Sequence, residues 1–152
     1  PGYEDPNIAT EVRNPVAAGA IGGSCLCGEV RYEIDGEPLV MVNCHCSRCR
    51  RARSAAHATN LFTLFDQFRW THGEQHVKAY DLPEAERFGV NFCTICGSDV
   101  PRHSPKVGRV NVPAGSLDTD PHLRPAFHIF VGSKAPWYDI TDTLPQHREL
   151  AT

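Results

Sequence analysis

The stretch "GGSCLCGEVRYEI", residues 22–34, places a cysteine pair directly before a segment of alternating polar and apolar residues. The pair, Cys25 and Cys27, is followed at once by a glycine, and "CTICG", residues 93–97, ends in the same way. A metal-binding turn curls the backbone so that N–H groups point at the sulfurs, and glycine adopts the positive φ that such a curl often needs. Both pairs are therefore interpreted as zinc knuckles.

Two knuckles offer four thiolates, which is the complete ligand set of a closed tetrahedral zinc site with bonds of about 2.3 Å. Structural disulfides are the alternative. They rarely persist inside cells, and the chain has seven cysteines, an odd number. Cys25 and Cys27 would also lie about 7 Å apart in an extended strand, which is too far for a bridge. The predicted ligands of a structural zinc ion are Cys25, Cys27, Cys93 and Cys96.

Beyond these turns the chain continues as short apolar or alternating runs separated by turn residues, which predicts strands. The predicted strands lie within residues 30–34, 39–43, 57–62, 67–71, 76–80, 86–92, 108–115 and 126–132. One segment, residues 47–56, predicts a short helix of about two turns. Strands that follow one another through tight turns favour antiparallel pairing, so the predicted fold class is mostly β.

Length and composition predict one domain of a cytoplasmic protein. A chain of 152 residues can bury about 70% of its unfolded surface in a single core. Residues 1–20 contain three prolines and no periodicity, so we predict an N-terminal arm there and a zinc-binding domain at 21–152. The net charge of −3 argues against nucleic acid and anionic membranes as partners. No apolar run approaches the roughly 20 residues that span a bilayer, and no signal-peptide pattern is seen.

A third group of cysteines lies in "CHCSRCRRAR", residues 44–53. If the knuckles use the other four cysteines, Cys44, Cys46 and Cys49 have no fourth thiol as partner. Three protein ligands and an open position are the arrangement of catalytic zinc sites. We therefore predict a catalytic zinc ion held by these three residues. His45 is an alternative fourth ligand, but in an extended segment its side chain points away from its cysteine neighbours.

A redox function is a further alternative for the same segment. Cys46 and Cys49 form a Cys-x-x-Cys pair that could cycle through a disulfide, although the βαβ context of thioredoxin-like proteins is absent. The prediction is thus two zinc ions per chain, with the second site partly empty or oxidised in metal-depleted protein.

The arginines of this segment are Arg48, Arg50, Arg51 and Arg53. Three thiolates on Zn²⁺ leave about one net negative charge. The guanidinium groups would offset this charge and lower the pKa values of the cysteines. Arg48, Arg50 and Arg51 are also predicted to bind substrate, because guanidinium pairs with carboxylates through two parallel hydrogen bonds. The alternative for each is a solvated helix face.

Other polar and aromatic residues carry weaker predictions. His57 is the favoured functional histidine because it closely follows the cysteine helix. His128 has no carboxylate partner at a telling spacing, so it is interpreted as structural or exposed. Tyr32, Trp70 and Trp137 are predicted to pack in the core or at its edge.

Five stretches of the chain resemble, in this order, the glutathione-dependent formaldehyde-activating enzyme (GFA) family, whose eukaryotic relatives include centromere protein V. They are "GGSCLCGEVRYEI", "NCHCSRCRRA", "FCTICGSDVP", "VPAGSLD" and "FHIFVGSKAPWYDITDTLP". The resemblance runs from about Gly22 to Pro145. It implies a β-tent fold of several small antiparallel sheets, with two zinc sites divided among the cysteines as above.

The resemblance also implies an activity. Members of the family are named for condensing formaldehyde with glutathione to S-(hydroxymethyl)glutathione, a carbon-sulfur lyase reaction. The expected partner is therefore a small thiol such as glutathione, and the substrate its adduct with formaldehyde or another small aldehyde. The alternative is a non-catalytic zinc-binding or thiol-sensing module on the same scaffold. A homo-oligomer is left open.

Overall fold

The structure is a computed structural model, and it describes residues 15–151. The strands are β1 (Ile21–Ser24), β2 (Arg31–Ile34), β3 (Val40–Cys44), β4 (Ala58–Thr63), β5 (Phe68–His72), β6 (Val77–Asp81), β7 (Gly89–Cys93), β8 (Asp99–Val100), β9 (Arg102–Ser104), β10 (Arg109–Pro113) and β11 (Phe127–Ile129). The α-helix α1 is Ser47–Arg53, and single 3₁₀ turns lie at Phe65–Gln67, Glu74–His76, Ala114–Ser116 and Val131–Ser133. The predicted mostly β class is confirmed.

In the described part of the chain, the strands form three small sheets. The N-terminal sheet has the order β1-β2-β5, the central sheet has the order β11-β3-β4-β10-β9, and the knuckle sheet has the order β6-β7-β8. All pairs of the N-terminal and knuckle sheets are antiparallel. Several separate small sheets with one helix agree with the architecture that the family resemblance implies.

One pair departs from the predicted antiparallel arrangement. Strand β11 runs parallel to β3, with His128 beside Asn43 and Ile129 beside Cys44. Parallel neighbours need a long crossover, and the chain between the two strands supplies one because it includes β4 to β10. This pairing brings the C-terminal part of the chain to the segment that carries the third cysteine group.

The main core lies between the N-terminal sheet and the central sheet. Its buried residues are Ile21, Tyr32, Ile34, Met41, Leu61, Phe68, Val110 and Val112. The period of two along β10 places Val110 and Val112 on the buried face, where both are 0% exposed. Each buried Val, Leu, Ile, Met or Phe side chain contributes about 1.5–3 kcal/mol relative to exposure.

A second, smaller core surrounds the knuckles. Cys25, Val30, Cys93 and Val100 form it. The Trp70 ring packs against both cores, which confirms its predicted packing function. Because this second core contains two of the predicted zinc ligands and only two buried valines, we expect it to depend on the metal.

Two local predictions differ from the structure. Helix α1 ends at Arg53, three residues before the predicted end, because Ser54 adopts a left-handed conformation with φ 49° and caps the helix. Trp137 does not pack in the core: it is 70% exposed, although Ala135, two residues earlier, is completely buried.

Most of the predicted N-terminal arm, residues 1–14, lies outside the described residues. Residues 15–20 have no regular secondary structure, and the backbone N–H of Ala17 donates to Glu33 Oε1 at 3.1 Å. The division into arm and domain stays a prediction. Among the described helices, none is long and apolar enough to span a membrane.

Candidate metal centre

The two knuckles meet and form what we call the four-cysteine site. Its Sγ atoms, from Cys25, Cys27, Cys93 and Cys96, all lie within 4.8 Å of one another. A tetrahedral zinc ion with bonds of about 2.3 Å separates its sulfurs by about 3.8 Å. The measured separations are 3.4 Å between Cys25 and Cys27 and 3.9 Å between Cys27 and Cys93. The sulfurs are free thiols at a spacing that fits zinc.

The backbone of both knuckles has the predicted curl. Gly28 and Gly97 have φ values of 79° and 76°, a region that glycine enters without strain. The N–H of Gly28 donates to the Cys25 carbonyl at 3.0 Å, and the N–H of Val30 donates to the Cys25 sulfur at 3.2 Å. The need for glycine at these positions is thereby confirmed.

Ser98 links the two knuckles. Its hydroxyl accepts a hydrogen bond from the Leu26 N–H at 3.0 Å and lies 3.1 Å from the Cys96 sulfur. Cys93 is completely buried, whereas Cys27 is exposed. The four-cysteine site therefore joins the turn between β1 and β2 to the knuckle sheet.

The third cysteine group forms a second cluster, the three-cysteine site, of Cys44, Cys46 and Cys49. Its Sγ atoms also lie within 4.8 Å of one another, and no fourth Cys, His, Asp or Glu within residues 15–151 joins them. Cys44 ends β3, and Cys46 caps the N-terminus of α1, accepting a hydrogen bond from the Cys49 N–H at 3.3 Å. A strand end followed directly by a helix start thus gathers three sulfurs at one point.

The thiols of the three-cysteine site are coupled through hydrogen bonds. The bonds from Cys44 and then Cys49 lower the pKa of Cys46, because they stabilise its thiolate. The hydrogen bond with Cys46 raises the pKa of Cys44, and the hydrogen bonds with Cys44 and then Cys46 raise the pKa of Cys49, so both thiols keep their protons. Zinc binds thiolates, so a zinc ion at this site would displace the remaining protons, and its affinity would rise with pH.

The structure separates the four arginines. Arg53 forms an ion pair with Asp99 of β8 and is therefore occupied. Arg48 and Arg51 are exposed. Arg50 is half-buried, and its Nε is buried with no hydrogen-bond partner among the described residues.

Helix geometry singles out one of these guanidinium groups. Residues four apart lie on the same helix face, so Arg50 lies above Cys46 and Arg53 above Cys49. Since Arg53 pairs with Asp99, Arg50 is the arginine on the cysteine face that remains available to an anion.

A buried polar network adjoins the three-cysteine site, and sequence reasoning missed most of it. His45 is completely buried, and its Nε2 lies 2.8 Å from Nδ1 of His128. Nε2 of His128 in turn lies 3.1 Å from both carboxylate oxygens of Asp142. His128 therefore has the carboxylate partner that its sequence neighbourhood did not reveal. Both residues lie in the stretch "FHIFVGSKAPWYDITDTLP", which was the available signal.

His57, the predicted functional histidine, lies beside this network. Its ring centroid is 5.0 Å from that of His45 and 5.7 Å from that of Tyr138. Burial lowers the pKa of His45 to about 4, with the neighbouring imidazoles as further causes. Burial also lowers the pKa of His57. Both rings are therefore neutral at pH 7.

Comparison with known proteins identifies similar chains. A family model described as "Glutathione-dependent formaldehyde-activating enzyme" matches residues 20–133, which include all seven cysteines. A solved crystal structure of a Rhodobacter sphaeroides protein is similar over 66% of this chain and 92% of its own, with a TM-score of 0.53 and 23% identity. At this identity the likeness shows the fold alone. The comparison with curated proteins finds no match.

Proposed function

Because the chain belongs to the glutathione-dependent formaldehyde-activating enzyme family, we propose that it joins the thiol of glutathione to formaldehyde. In this reaction the sulfur forms a bond with the carbonyl carbon, and the carbon-oxygen π bond breaks. The thiol proton ends on the oxygen of the new hydroxymethyl group. The reverse reaction breaks the carbon-sulfur bond, so the enzyme is of the carbon-sulfur lyase type.

The observation that carries this proposal is the three-cysteine site, which lacks a fourth ligand among residues 15–151. Cys44, Cys46 and Cys49 are the proposed holders of a catalytic zinc ion, separate from the structural one. Such an ion would supply an open coordination position that lowers the pKa of an incoming thiol. The chain's own contribution is a fixed cradle of three sulfurs at the junction of β3 and α1.

The arginine side chains beside these sulfurs would orient the substrate. Glutathione carries two carboxylates, and a guanidinium group binds a carboxylate through two parallel hydrogen bonds. Arg50 is the best placed, because it shares the cysteine face of α1 and its Nε has no partner within residues 15–151. Arg48 and Arg51 are exposed, so their predicted contacts would be made at the rim of the site.

The activity itself is tested against the spontaneous reaction, since thiols add to formaldehyde without help. With zinc-loaded protein we expect exchange between formaldehyde and S-(hydroxymethyl)glutathione to be about a hundredfold or more faster than in buffer. Exchange spectroscopy by NMR measures this rate directly, with protein treated with a chelator as the comparison. Equal rates with and without the loaded protein would refute the proposed reaction.

Replacing Arg50 tests the orientation of glutathione. Arg50→Gln removes a charge-assisted contact of about 1.5–3 kcal/mol, so KM for glutathione should rise about tenfold or more while kcat changes little. The matched control is Arg109→Gln, which removes an exposed positive charge from β10. If KM responds equally to both substitutions, Arg50 has no specific function in binding.

One observation favours a second candidate function. The Cys46 thiol has a lowered pKa and lies close to Cys49, which suits a thiol-disulfide sensor without catalysis. Cobalt in place of zinc separates the two functions. The enzyme has an exchangeable ligand, so glutathione should change the visible spectrum of cobalt at the three-cysteine site; a sensor with a closed site would show no change.

A further inference from the structure

A chain of hydrogen bonds runs from the protein surface to the loop between Cys44 and Cys46. At its outer end is Asp142, whose side chain is 46% exposed. His128 follows, 1% exposed, and then His45, 0% exposed. Two buried imidazoles in series with a carboxylate are not needed for packing alone, because apolar side chains would fill the space without polar atoms to satisfy.

Asp142 determines which nitrogen of His128 carries the proton. An ionised carboxylate can only accept hydrogen bonds, and the hydrogen bond from the Leu144 N–H, with that from His128, lowers the pKa of Asp142 and keeps it ionised. Both carboxylate oxygens face Nε2 of His128 at 3.1 Å, so this nitrogen is the donor. In neutral His128 the other nitrogen, Nδ1, is then an acceptor.

The tautomer of His128 in turn determines the tautomer of His45. Its Nε2 lies 2.8 Å from the Nδ1 acceptor of His128 and must therefore carry the hydrogen. A neutral imidazole has one ring proton, so in this hydrogen-bonding geometry Nδ1 of His45 is the unprotonated nitrogen. That atom is buried and has no hydrogen-bond partner among the described residues. A buried acceptor without a partner costs about 1–3 kcal/mol, so this nitrogen is available to accept a hydrogen bond from a donor beside the three-cysteine site.

The backbone of the loop is tied to the same strand. The N–H of His45 donates to the Ile129 carbonyl at 2.9 Å, next to His128 in β11. The side chain and the main chain of His45 therefore both attach to β11. Since this residue stands between two cysteines, any rotation of its backbone moves both sulfurs.

We propose that Asp142 and His128 are positioning residues for the three-cysteine site. They hold His45 in the tautomer that is protonated on Nε2, present its Nδ1 as a hydrogen-bond acceptor, and fix the loop that carries Cys44 and Cys46. Asp142 lies outside the 20–133 range of the family match. The inference does not depend on which reaction the site performs, because its first test is spectroscopic.

The test uses the full chain, zinc-loaded and labelled with ¹⁵N-histidine. Two-bond ¹H–¹⁵N spectra at neutral pH report the tautomer of each ring, with signals assigned by their loss in His45→Gln and His128→Gln. We expect both rings to be protonated on Nε2. In Asp142→Ala both should become tautomer mixtures, whereas Asp142→Asn keeps an acceptor oxygen and should retain the wild-type tautomers.

A second measurement tests the link to the cysteines. Cobalt affinity of the three-cysteine site should fall about tenfold in Asp142→Ala, as when outer-shell partners of a metal site are removed. The control is Asp139→Ala, which removes an exposed carboxylate from the same segment. Protonation of wild-type His45 on Nδ1, or unchanged tautomers in Asp142→Ala, would overturn the tautomer assignment. Mixed tautomers with unchanged cobalt affinity would overturn the positioning function.

Discussion

Replacing Cys27 by serine should unfold the protein or leave it prone to aggregation at 25 °C. Cys27 is exposed, so the substitution removes almost no packing and should act through loss of one ligand of the proposed structural zinc ion. Structural zinc contributes on the order of 10 kcal/mol of apparent binding free energy in small zinc peptides. The whole stability of a domain is about 5–15 kcal/mol, so the loss is comparable with the total. Circular dichroism during thermal melting, with zinc analysis, measures both effects.

The neighbouring residue supplies the control for this experiment. Leu26 lies in the same knuckle, is 78% exposed and offers no ligand atom, so Leu26→Ala should melt like the wild type and keep its zinc. A stable, cooperatively folded Cys27→Ser variant would show that the four-cysteine site does not hold the fold together. The second core would then have to be stable without metal.

Replacing Cys49 by serine should abolish activity and leave the fold intact, in contrast to Cys27→Ser. The reaction should fall to the uncatalysed rate. Helix α1 contributes no buried residue, and Cys49 belongs to neither core. The variant should therefore hold one zinc ion per chain instead of two and melt within a few degrees of the wild type, since about 1 kcal/mol shifts Tm by about 2–4 °C at this size. Metal analysis, melting and the exchange rate are measured on the same sample.

Ser47→Ala is the matched control, because it changes a neighbouring residue of α1 without removing a sulfur. It should retain two zinc ions and the wild-type rate. If Cys49→Ser loses as much stability as Cys27→Ser, the two sites do not divide into a structural and a catalytic one. If it retains full activity, the proposed catalytic function of the three-cysteine site is wrong.

The grouping of the cysteines could be predicted because it depends on local chemistry. A knuckle is made by a few consecutive residues, and its glycine adopts a positive φ wherever the rest of the chain lies. Once the knuckles account for four of the seven cysteines, the remaining three form the second group. The structure brings together the same two groups. Strand positions were predictable for the same reason, since alternation such as that at Val110 and Val112 is a local pattern.

Local sequence could not predict which of the four arginines is available to bind an anion. All four stand within six residues of one another in the sequence and have the same chemistry. Only the tertiary structure separates Arg53, which pairs with Asp99 of a distant strand, from Arg50, whose Nε stays unpaired among the described residues. The predicted packing of Trp137 was wrong for a similar reason, because aromatic character does not indicate which side chains of a segment face the core.

The sequence by itself determined the two cysteine groups, each able to hold a metal ion, and the mostly β class, because each follows from spacing within short segments. The tertiary structure alone decided what surrounds the three-cysteine site. His45 and His128 are 83 residues apart and meet only because β11 pairs in parallel with β3. The pairing of two strands so far apart in the sequence depends on how the chain between them packs. A pattern within one short segment does not contain this information.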